Sequence, residues 1–418
     1  MAKVVLAYTG GLATSLCIHW LKLKKGLEVI TFTANVGQRA NLEPIGERAI
    51  ELGAAAAHIG DLRERFVKEF AFAALRAGAV YESGYYLGTA LTRPLITEEM
   101  VKIAREDGAE FLAHGCSGRG NDRIRFEAAA AALAPGLEVL APLEEWGLTS
   151  REEQARHARR YGMELPVVEG ESFERVDQCL WGIARPVDAR RLDPWKPAPE
   201  DMFRMTVAPE HGPDEPEDIR IGFRRGTPTR LNGRNLKPVD LLEAVNALGA
   251  KHGIGRRDVM EDRISGIKTR EIYEAPGAAI LYESHKALEA LVLPKELLHF
   301  KGSLSKKYAE LVYGGQWFHP LRRALNGFFD EVRDAVTGDV KVRLFKGKAT
   351  PRGVRSPCSL YDVGRARLAC ATAAAEVEAA AGDLTGVRDA AAYALKHEVG
   401  PQKTQPAFRR ANPGPNGP

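Results

Sequence analysis

The sequence predicts an α/β protein with a doubly wound parallel sheet at its N-terminus, then an α+β region and a C-terminal helical tail. Three observations support this prediction. Strand-like and helix-like segments alternate over residues 1–165, a Thr-Gly-Gly turn follows the first strand, and the pattern changes after Glu169. The chain of 418 residues is also too long for one ordinary core, so we expect more than one domain.

The first region alternates short apolar runs with longer helical patterns. The expected strands are residues 4–8, 29–33, 56–59, 111–114 and 139–141, and the expected helices include residues 12–25, 43–52, 62–77 and 95–106. Repeated βα units imply a parallel sheet with helices on both faces. Ligands bind such sheets beyond the carboxyl ends of the strands, so residues 9–15, 34–38 and 115–121 should gather at one edge.

The second region mixes both kinds of element. A Pro- and Asp-rich stretch at residues 186–216 precedes expected strands at 219–223 and 340–346 and expected helices at 239–248 and 287–293. We therefore expect a nucleotide-binding domain at residues 1–165 and a substrate domain at 166–360. Ala-rich helices at 361–400 either pack on their own domain or exchange with a neighbouring chain. Residues 401–418, with five prolines, should be disordered.

The composition excludes several classes of protein. Hydrophobic residues make up 44% and charged residues 27% of the chain, as in soluble globular proteins. No segment approaches the ~20 apolar residues of a membrane span, and the N-terminus runs directly into a strand without a signal peptide. Five scattered cysteines indicate free thiols in the cytoplasm, and a net charge of +4 gives no case for nucleic acid.

The segment VVLAYTGGLATS at residues 4–15 predicts a phosphate or pyrophosphate cradle. Gly10 and Gly11 allow a tight turn with exposed N–H groups, and the helix that follows points its unpaired N–H groups into the same space. The segment is neither a Walker A loop nor a G-x-G-x-x-G turn. A plain strand–helix turn would explain the two glycines equally well, so the rest of the chain has to decide.

Seven segments in order carry a resemblance to one family. They are residues 7–15 (AYTGGLATS), 32–38 (FTANVGQ), 87–94 (LGTALTRP), 113–127 (AHGCSGRGNDRIRFE), 193–206 (DPW…MFRMT), 253–266 (GIGRRDVMEDRISG) and 303–314 (SLSKKYAELVYG). From Lys3 to Lys396 the chain resembles argininosuccinate synthase, of the N-type ATP pyrophosphatase group. The resemblance implies a homotetramer and a synthetase role for the second domain.

The resemblance also implies a reaction and its site. An acceptor oxygen attacks the α-phosphate of ATP, pyrophosphate leaves, and the amine of aspartate then displaces AMP to form a C–N bond. ATP, with Mg²⁺, would lie against Ala7, Tyr8, Thr9, Gly10, Gly11, Thr14, Ser15, Ala34 and Gly115. Aspartate would lie against Ser117, Asn121 and Asp122, and the acceptor against Tyr85, Arg125, Arg175, Glu261 and Tyr273. Asp122 and Arg125 would take part in catalysis.

Several positions depart from the family pattern. Position 13 is Ala where the family carries Asp, which weakens the expectation of ordinary Mg²⁺ handling, and Asn35 adds a little to that doubt. Ala90, Arg175 and Ala184 replace three serines that would hold the amino-acid end of citrulline. A site built on hydrogen bonds discriminates strongly, so the loss of three hydroxyls should change the preferred substrate. Because Arg175 also adds a cation where citrulline would present its ammonium group, we expect a related acceptor with a carboxylate and no ammonium group there.

Each candidate residue also has an ordinary structural explanation. Asn121 and Asp122 could cap a helix, Arg125 could be a solvated charge, and Glu261 could be a surface acid. Tyr85 and Tyr273 could be core aromatics, and His114 fits a buried supporting residue better than a catalyst.

Three functions remain open from the sequence. The favoured one is an aspartate-using C–N ligase that acts on citrulline or, as the substitutions favour, on a related compound. Ala13 also allows a catalytically weak relative that serves as a binding or regulatory subunit. A tRNA-modifying pyrophosphatase fits least, because the chain lacks paired cysteines and an evident basic domain.

Overall fold

The computed structural model describes residues 1–38, 41–82, 84–116, 120–148, 150–163, 176–187, 193–364, 366–367 and 369–370. The chain separates into two compact units, Met1–Leu360 and Tyr361–Pro418. The predicted domain boundary at residue 165 and the predicted tail at 401–418 lie outside the described residues, as do most of the predicted C-terminal helices. Those predictions therefore stay predictions.

A parallel sheet forms the first half of the larger unit. Its strands are β1 (Lys3–Ala7), β2 (Glu28–Asn35), β3 (Ala56–Asp61), β4 (Phe111–His114) and β5 (Glu138–Leu140). They pair in the order β3-β2-β1-β4-β5, and every pairing is parallel. This arrangement confirms the predicted α/β fold and all five predicted strands to within two residues at each end.

Helices cover both faces of this sheet. Within the described residues they are α1 (Leu12–Lys25), α2 (Glu43–Glu51), α3 (Arg63–Arg65), α4 (Phe72–Ala77), α5 (Gly88–Asp107), α6 (Asn121–Leu133), α7 (Pro142–Glu145) and α8 (Arg151–Arg160). Alternate residues of β1 point to opposite faces: Val4 belongs to the same apolar cluster as Ile18 of α1, whereas Val5 belongs to the cluster that contains Leu95 of α5. The sheet is therefore doubly wound, as predicted.

The helix around residue 95 begins earlier than predicted. The sequence pattern predicts a helix that begins at Leu95, directly after Pro94. In the structure, α5 begins at Gly88 and contains Pro94. The hydroxyl of Tyr85 explains the difference, because it accepts hydrogen bonds from the backbone N–H groups of Thr89 (2.9 Å) and Ala90 (3.3 Å). These amides have no partner inside the helix, and the tyrosine supplies one.

The region predicted as one helix at residues 62–77 is helical throughout but changes pitch. A π-helical segment, Phe66–Ala71, lies between α3 and α4. Its aromatic side chains are fully buried, so the wider turn serves core packing.

Two antiparallel sheets, four α-helices and three short 3-10 helices make up the second half of the described chain. β6 (Asp177–Cys179), β7 (Gly182–Pro186), β11 (Arg256–Asp262) and β12 (Lys268–Glu274) form one sheet in the order β11-β12-β7-β6. β8 (Glu217–Arg224), β9 (Thr227–Leu231), β10 (Arg234–Asn235), β13 (Gly338–Phe345) and β14 (Lys348–Arg355) form the other, in the order β10-β9-β8-β13-β14. The helices are α9 (Pro238–Lys251), α10 (Pro276–Val292), α11 (Lys295–Tyr313) and α12 (Pro320–Val332).

This second half confirms the predicted α+β architecture.

None of the helices in the described ranges combines the length and the apolar composition that a membrane span requires.

Trp181 joins the two halves of the larger unit. It lies in the turn between β6 and β7, is fully buried, and donates its indole N–H to the Tyr86 carbonyl at 2.9 Å. Its ring meets Phe72 edge-on, with ring centroids 6.4 Å apart. The neighbouring Leu180 donates its backbone N–H to the Val36 carbonyl at 2.8 Å, just after β2. The turn between β6 and β7 is therefore fixed to the loop edge of the parallel sheet.

We expect Trp181→Phe to lower the free energy of unfolding by about 2–3 kcal/mol. The substitution removes buried ring volume and leaves the Tyr86 carbonyl without its donor. Trp195→Phe is the matched control, because that indole is 93% exposed and should change stability by less than about 0.5 kcal/mol. Urea unfolding followed by circular dichroism measures both, and equal midpoints for the two variants would contradict the structural role of Trp181.

Candidate active site

The predicted phosphate cradle lies where β1 ends and α1 begins. Gly10 has a φ of 74°, and Gly11 is the extended residue that precedes α1. No side chain caps this helix terminus, and its first turn contains no acidic residue. The terminus therefore presents backbone N–H groups and the positive end of the helix dipole, which suits an anion.

Hydroxyl groups stabilise the cradle from within. The backbone N–H of Thr9 donates to Oγ1 of Thr14 at 3.3 Å, and the hydroxyl of Thr14 donates to the Gly11 carbonyl at 3.2 Å. The Tyr8 and Ser15 hydroxyls lie 3.1 Å apart, and burial raises the pKa of Tyr8. These bonds fix the turn over residues 8–15.

The loops after β1, β2 and β4 meet at one edge, as predicted. A Cβ added to Gly115 would lie 2.7 Å from Cγ2 of Thr14, so only glycine allows this approach between two loops. Ala34 lies near the carboxyl end of β2, where its carbonyl accepts a hydrogen bond from Gln38 at 2.6 Å. Asn35 closes the same turn, because its side-chain oxygen accepts the backbone N–H of Gly37 at 3.0 Å.

Asp122 is the centre of a buried ionic network. It is 4% exposed, and its carboxylate accepts hydrogen bonds from Arg93 and Arg125, each at 2.9 Å. Arg93 also donates to Asp177 at 2.7 Å. Burial opposes the charge on Arg93, but the carboxylates of Asp122 and Asp177 outweigh it and raise the pKa of this guanidinium. The network joins α5, α6 and β6.

Asn121 lies at the start of α6 with both ends of its amide engaged. Its oxygen accepts the backbone N–H of Ile264 at 3.1 Å, and its nitrogen donates to the Tyr313 hydroxyl at 2.8 Å. Neither Asn121 nor Asp122 caps the helix, because Gly120 occupies the capping position and no side chain bonds there. The structure thus does not support the capping explanation for these two residues.

Glu261 lies between two tyrosines and is 4% exposed. Tyr273 donates its hydroxyl to one carboxylate oxygen at 2.6 Å, and Tyr313 donates to the other at 2.7 Å. Burial raises the pKa of Glu261, and the two tyrosine hydrogen bonds partly offset this. The surface-acid explanation for Glu261 is therefore wrong.

Tyr85 and Tyr273 stack with ring centroids 4.3 Å apart and form one wall of a pocket. Burial raises the pKa of Tyr85 to about 12, so its hydroxyl stays protonated. Arg125 reaches the same pocket and is 3% exposed, which rules out a solvated charge. The pocket is lined by Tyr85, Thr89, Gly120, Asn121, Asp122, Arg125, Asp177, Ala184, Pro186, Glu261, Arg263, Glu271 and Tyr273.

The positions that depart from the family pattern differ in where they lie. Ala184, on β7, lines the pocket and pairs with Tyr273 across the sheet. Ala90 is fully buried in the first turn of α5. Ser117 and Arg175 lie outside the described residues.

Three residues of the hydrogen-bond network around the pocket, Arg93, Asp177 and Tyr313, were not singled out from the sequence. The same holds for five residues of the pocket lining: Thr89, Gly120, Pro186, Arg263 and Glu271. Arg93 and Tyr313 belong to two of the segments that carry the family resemblance, and a charged or hydroxylated side chain inside those segments was the available signal. Asp177 offered no such signal, because it lies outside those segments.

His114, the last residue of β4, is buried beneath the loop that follows this strand. It is 1% exposed, its Nδ1 accepts the backbone N–H of Cys116 at 3.3 Å, and burial lowers the pKa of His114 to about 4. The imidazole therefore stays neutral and supports the loop, which agrees with its predicted role.

The residues present fit a triphosphate better than they fit a protein-bound metal. The uncapped terminus of α1 and the close approach at Gly115 suit phosphate oxygens. Among the described residues, no three His, Cys, Asp or Glu side chains are grouped closely enough to hold a metal ion. Mg²⁺ that arrives on a nucleotide needs only one or two protein carboxylates.

Comparisons with known proteins agree with this geometry. Residues 3–164 match the arginosuccinate synthase N-terminal HUP domain, and residues 175–386 match the arginosuccinate synthase C-terminal domain. The argininosuccinate synthase of Symbiobacterium thermophilum is 49% identical over 362 residues, which cover 86% of this chain and 89% of that protein. The argininosuccinate synthase of a Synechococcus species is 49% identical over 363 residues, with the same coverage of 86% and 89%.

A solved structure, described as a tRNA methyltransferase subunit from Methanocaldococcus jannaschii, is 18% identical and covers 39% of this chain and 89% of its own. Its TM-score of 0.26 is too low to carry an argument. The two domain matches and the identity over most of the chain confirm the resemblance found in the sequence. The chain belongs to the argininosuccinate synthase family of C–N ligases.

Proposed function

We propose that this protein is an ATP-dependent, AMP- and pyrophosphate-forming ligase that joins the amine of aspartate to an adenylylated acceptor. One observation carries the proposal. The approach of Gly115 to Thr14 places the cradle at α1 beside the loop that leads to Asn121 and Asp122. A nucleotide phosphate and an amine donor bound to these two loops would lie next to each other, as successive attack on one acceptor requires.

The first step is attack by an oxygen of the acceptor on the α-phosphorus of ATP. The bond to the β-phosphate oxygen breaks, and pyrophosphate leaves with the electron pair. The N–H groups at the start of α1 would neutralise the charge that develops on pyrophosphate. In the second step the aspartate amine attacks the activated carbon, AMP leaves, and the nitrogen loses a proton.

Polar and charged side chains beyond the cradle would hold the amino donor. Asn121 offers an amide, and Asp122 offers a carboxylate for the ammonium group of aspartate. Ser117 would offer a hydroxyl, and this role rests on the family resemblance alone. Arg93 and Arg125 support this proposal, because their guanidinium groups fix the orientation of the Asp122 carboxylate. We assign Asp122 and Arg125 as the residues that touch the reacting groups.

We further propose that the acceptor differs from citrulline. Ala184 lines the pocket without a hydroxyl, and the buried methyl group of Ala90 also offers none. Ala184 pairs with Tyr273 across the sheet, and the backbone N–H of Ala90 donates to the Tyr85 hydroxyl at 3.3 Å. Both alanines therefore lie next to the stacked tyrosines, where the amino-acid end of citrulline would need hydrogen bonds. Arg175 would add a cation, so an acceptor with a carboxylate and no ammonium group fits better.

A second candidate is a catalytically weak relative that acts as a binding or regulatory subunit. Ala13 favours it, because the first turn of α1 contains no acidic residue that could assist a metal ion beside the triphosphate.

Assembly as a homotetramer and location in the cytoplasm are proposals that rest on the family.

We expect Asn121→Ala and Asp122→Ala to abolish the use of aspartate while nucleotide binding stays measurable. The two side chains lie on α6, apart from the backbone amides that would hold ATP. Calorimetry with aspartate and with a non-hydrolysable ATP analogue measures both affinities.

Arg123→Ala is the matched control for this test. Arg123 follows Asp122 on the same helix, but its guanidinium pairs with Glu127 and Glu144, away from the ionic network. It should bind aspartate as the unmodified protein does. Unchanged aspartate affinity in both alanine variants at 121 and 122 would overturn the assignment of the donor site.

We expect the unmodified protein to turn over citrulline slowly. Each missing hydrogen bond to a charged group costs about 1.5–3 kcal/mol, so three could lower kcat/KM by several powers of ten, although water in the gaps would soften the loss. Pyrophosphate release with ATP, aspartate and citrulline measures this. The triple variant Ala90→Ser, Arg175→Ser and Ala184→Ser should raise the rate.

The outcomes separate the two candidate functions. Efficient formation of argininosuccinate by the unmodified protein would contradict the proposed change of acceptor and leave the ligase assignment standing. A triple variant that stays inactive, together with an Ala13→Asp version that gains activity, would favour the catalytically weak relative.

A further inference from the structure

Tyr313 occupies the junction between α11 and the start of α6. It is the last residue of α11, is 3% exposed, and stacks on Tyr81 with ring centroids 3.6 Å apart. The turn that follows packs directly on α6, because a Cβ added to Gly315 would lie 2.8 Å from the Cα of Arg125. This tight junction leaves the Tyr313 side chain little freedom to move.

The hydroxyl of Tyr313 links two residues that belong to different proposed subsites. It accepts a hydrogen bond from the Asn121 side-chain nitrogen at 2.8 Å and donates one to the Glu261 carboxylate at 2.7 Å. The backbone N–H of Ile264 donates to the other end of the Asn121 amide, which fixes the orientation of that amide. The hydroxyl hydrogen of Tyr313 therefore has one direction open to it, toward Glu261.

The rest of Tyr313 contacts a third residue of the site. Its carbonyl accepts Nε of Arg125 at 3.0 Å, and the Arg125 guanidinium lies 5.0 Å from the centre of its ring. Asn121 belongs to the proposed aspartate subsite, whereas Glu261 and Arg125 belong to the proposed acceptor subsite. Tyr313 thus contacts both subsites through its own atoms.

We propose that Tyr313 is a positioning residue whose hydroxyl couples the acceptor subsite to the aspartate subsite, so that the Glu261 carboxylate controls how firmly Asn121 is held for aspartate. The proposal rests on the assignment of Asn121 to aspartate made above. When the carboxylate accepts the hydroxyl hydrogen, a lone pair of the hydroxyl oxygen faces the Asn121 nitrogen. When the charge on Glu261 is removed, the hydrogen bond weakens and the hydroxyl is less strongly oriented.

Tyr81 provides a matched control. Its ring is the other half of the stack, but its hydroxyl donates to the Asp262 carbonyl at 2.8 Å and takes no part in the link between Asn121 and Glu261. Tyr313→Phe and Tyr81→Phe each remove one hydroxyl from the same pair of rings. A merely structural effect of losing one hydroxyl from this pair of rings would be similar in the two variants.

The first measurement is the aspartate affinity of the full chain, by calorimetry with a non-hydrolysable ATP analogue present. We expect Tyr313→Phe to weaken aspartate binding about tenfold, the equivalent of one charge-assisted hydrogen bond, and Tyr81→Phe to leave it unchanged. Thermal unfolding of both variants confirms that they fold.

The second measurement tests coupling directly. Glu261→Gln preserves shape but removes the charge, and it should weaken aspartate binding about threefold although Glu261 lies in the acceptor subsite. In the Tyr313→Phe background the same substitution should have no further effect, whereas in the Tyr81→Phe background the threefold loss should remain. A purely structural role for Tyr313 would give independent, multiplicative losses.

The outcomes distinguish this proposal from the function on which it rests. Failure of the unmodified protein to bind aspartate overturns the proposed function and the coupling with it. Normal aspartate binding in the unmodified protein, with equal losses in Tyr313→Phe and Tyr81→Phe, overturns the coupling alone. Should Tyr313→Phe fail to fold, an unchanged aspartate affinity in Glu261→Gln is enough to overturn it.

Discussion

The pairing of β1 between β2 and β4 is the constraint on which the site depends. Ala7, the last residue of β1, lies opposite His114, the last residue of β4, and opposite Phe32 of β2, which continues to Asn35. Because the strands are parallel, their following loops lie on the same side, and a single edge receives both the phosphate cradle and the loop that leads to α6. The β6–β7 turn, anchored through Trp181 and Leu180, brings Asp177 and Ala184 to the same edge.

Buried charge imposes a second constraint on the site. Arg93, Asp122 and Arg125 are largely shielded from water, and both guanidinium groups pair with the Asp122 carboxylate. Removal of one member of such a network typically costs about 3–5 kcal/mol, because a charge is left buried without its counterpart. The network therefore fixes the relative positions of α5 and α6 as well as the orientation of the carboxylate that would meet the substrate.

Local patterns in the sequence predicted the elements well but predicted their ends and the site contacts less well. The alternation of strands and helices gave the five parallel strands, because apolar periodicity follows directly from burial. The start of α5 was missed because it depends on a hydroxyl from Tyr85, which no helical period reveals. The contacts of Arg93 with Asp177 and of Asn121 with Tyr313 join residues 84 and 192 positions apart, so they follow only from the folded chain.

The same physics indicates which positions of the site tolerate substitution. Replacing a side chain of the Arg93–Asp122–Arg125 network would destabilise the fold as well as alter binding, so change there is doubly costly. Positions 90 and 184 carry only small side chains, and exchange of serine for alanine at such positions removes a hydroxyl without leaving a buried charge unpaired. Acceptor preference can therefore shift at the alanine positions with little effect on folding. The Tyr313 hydroxyl would let Glu261 act on Asn121 whichever acceptor occupies the pocket, since its partners on both sides belong to the protein.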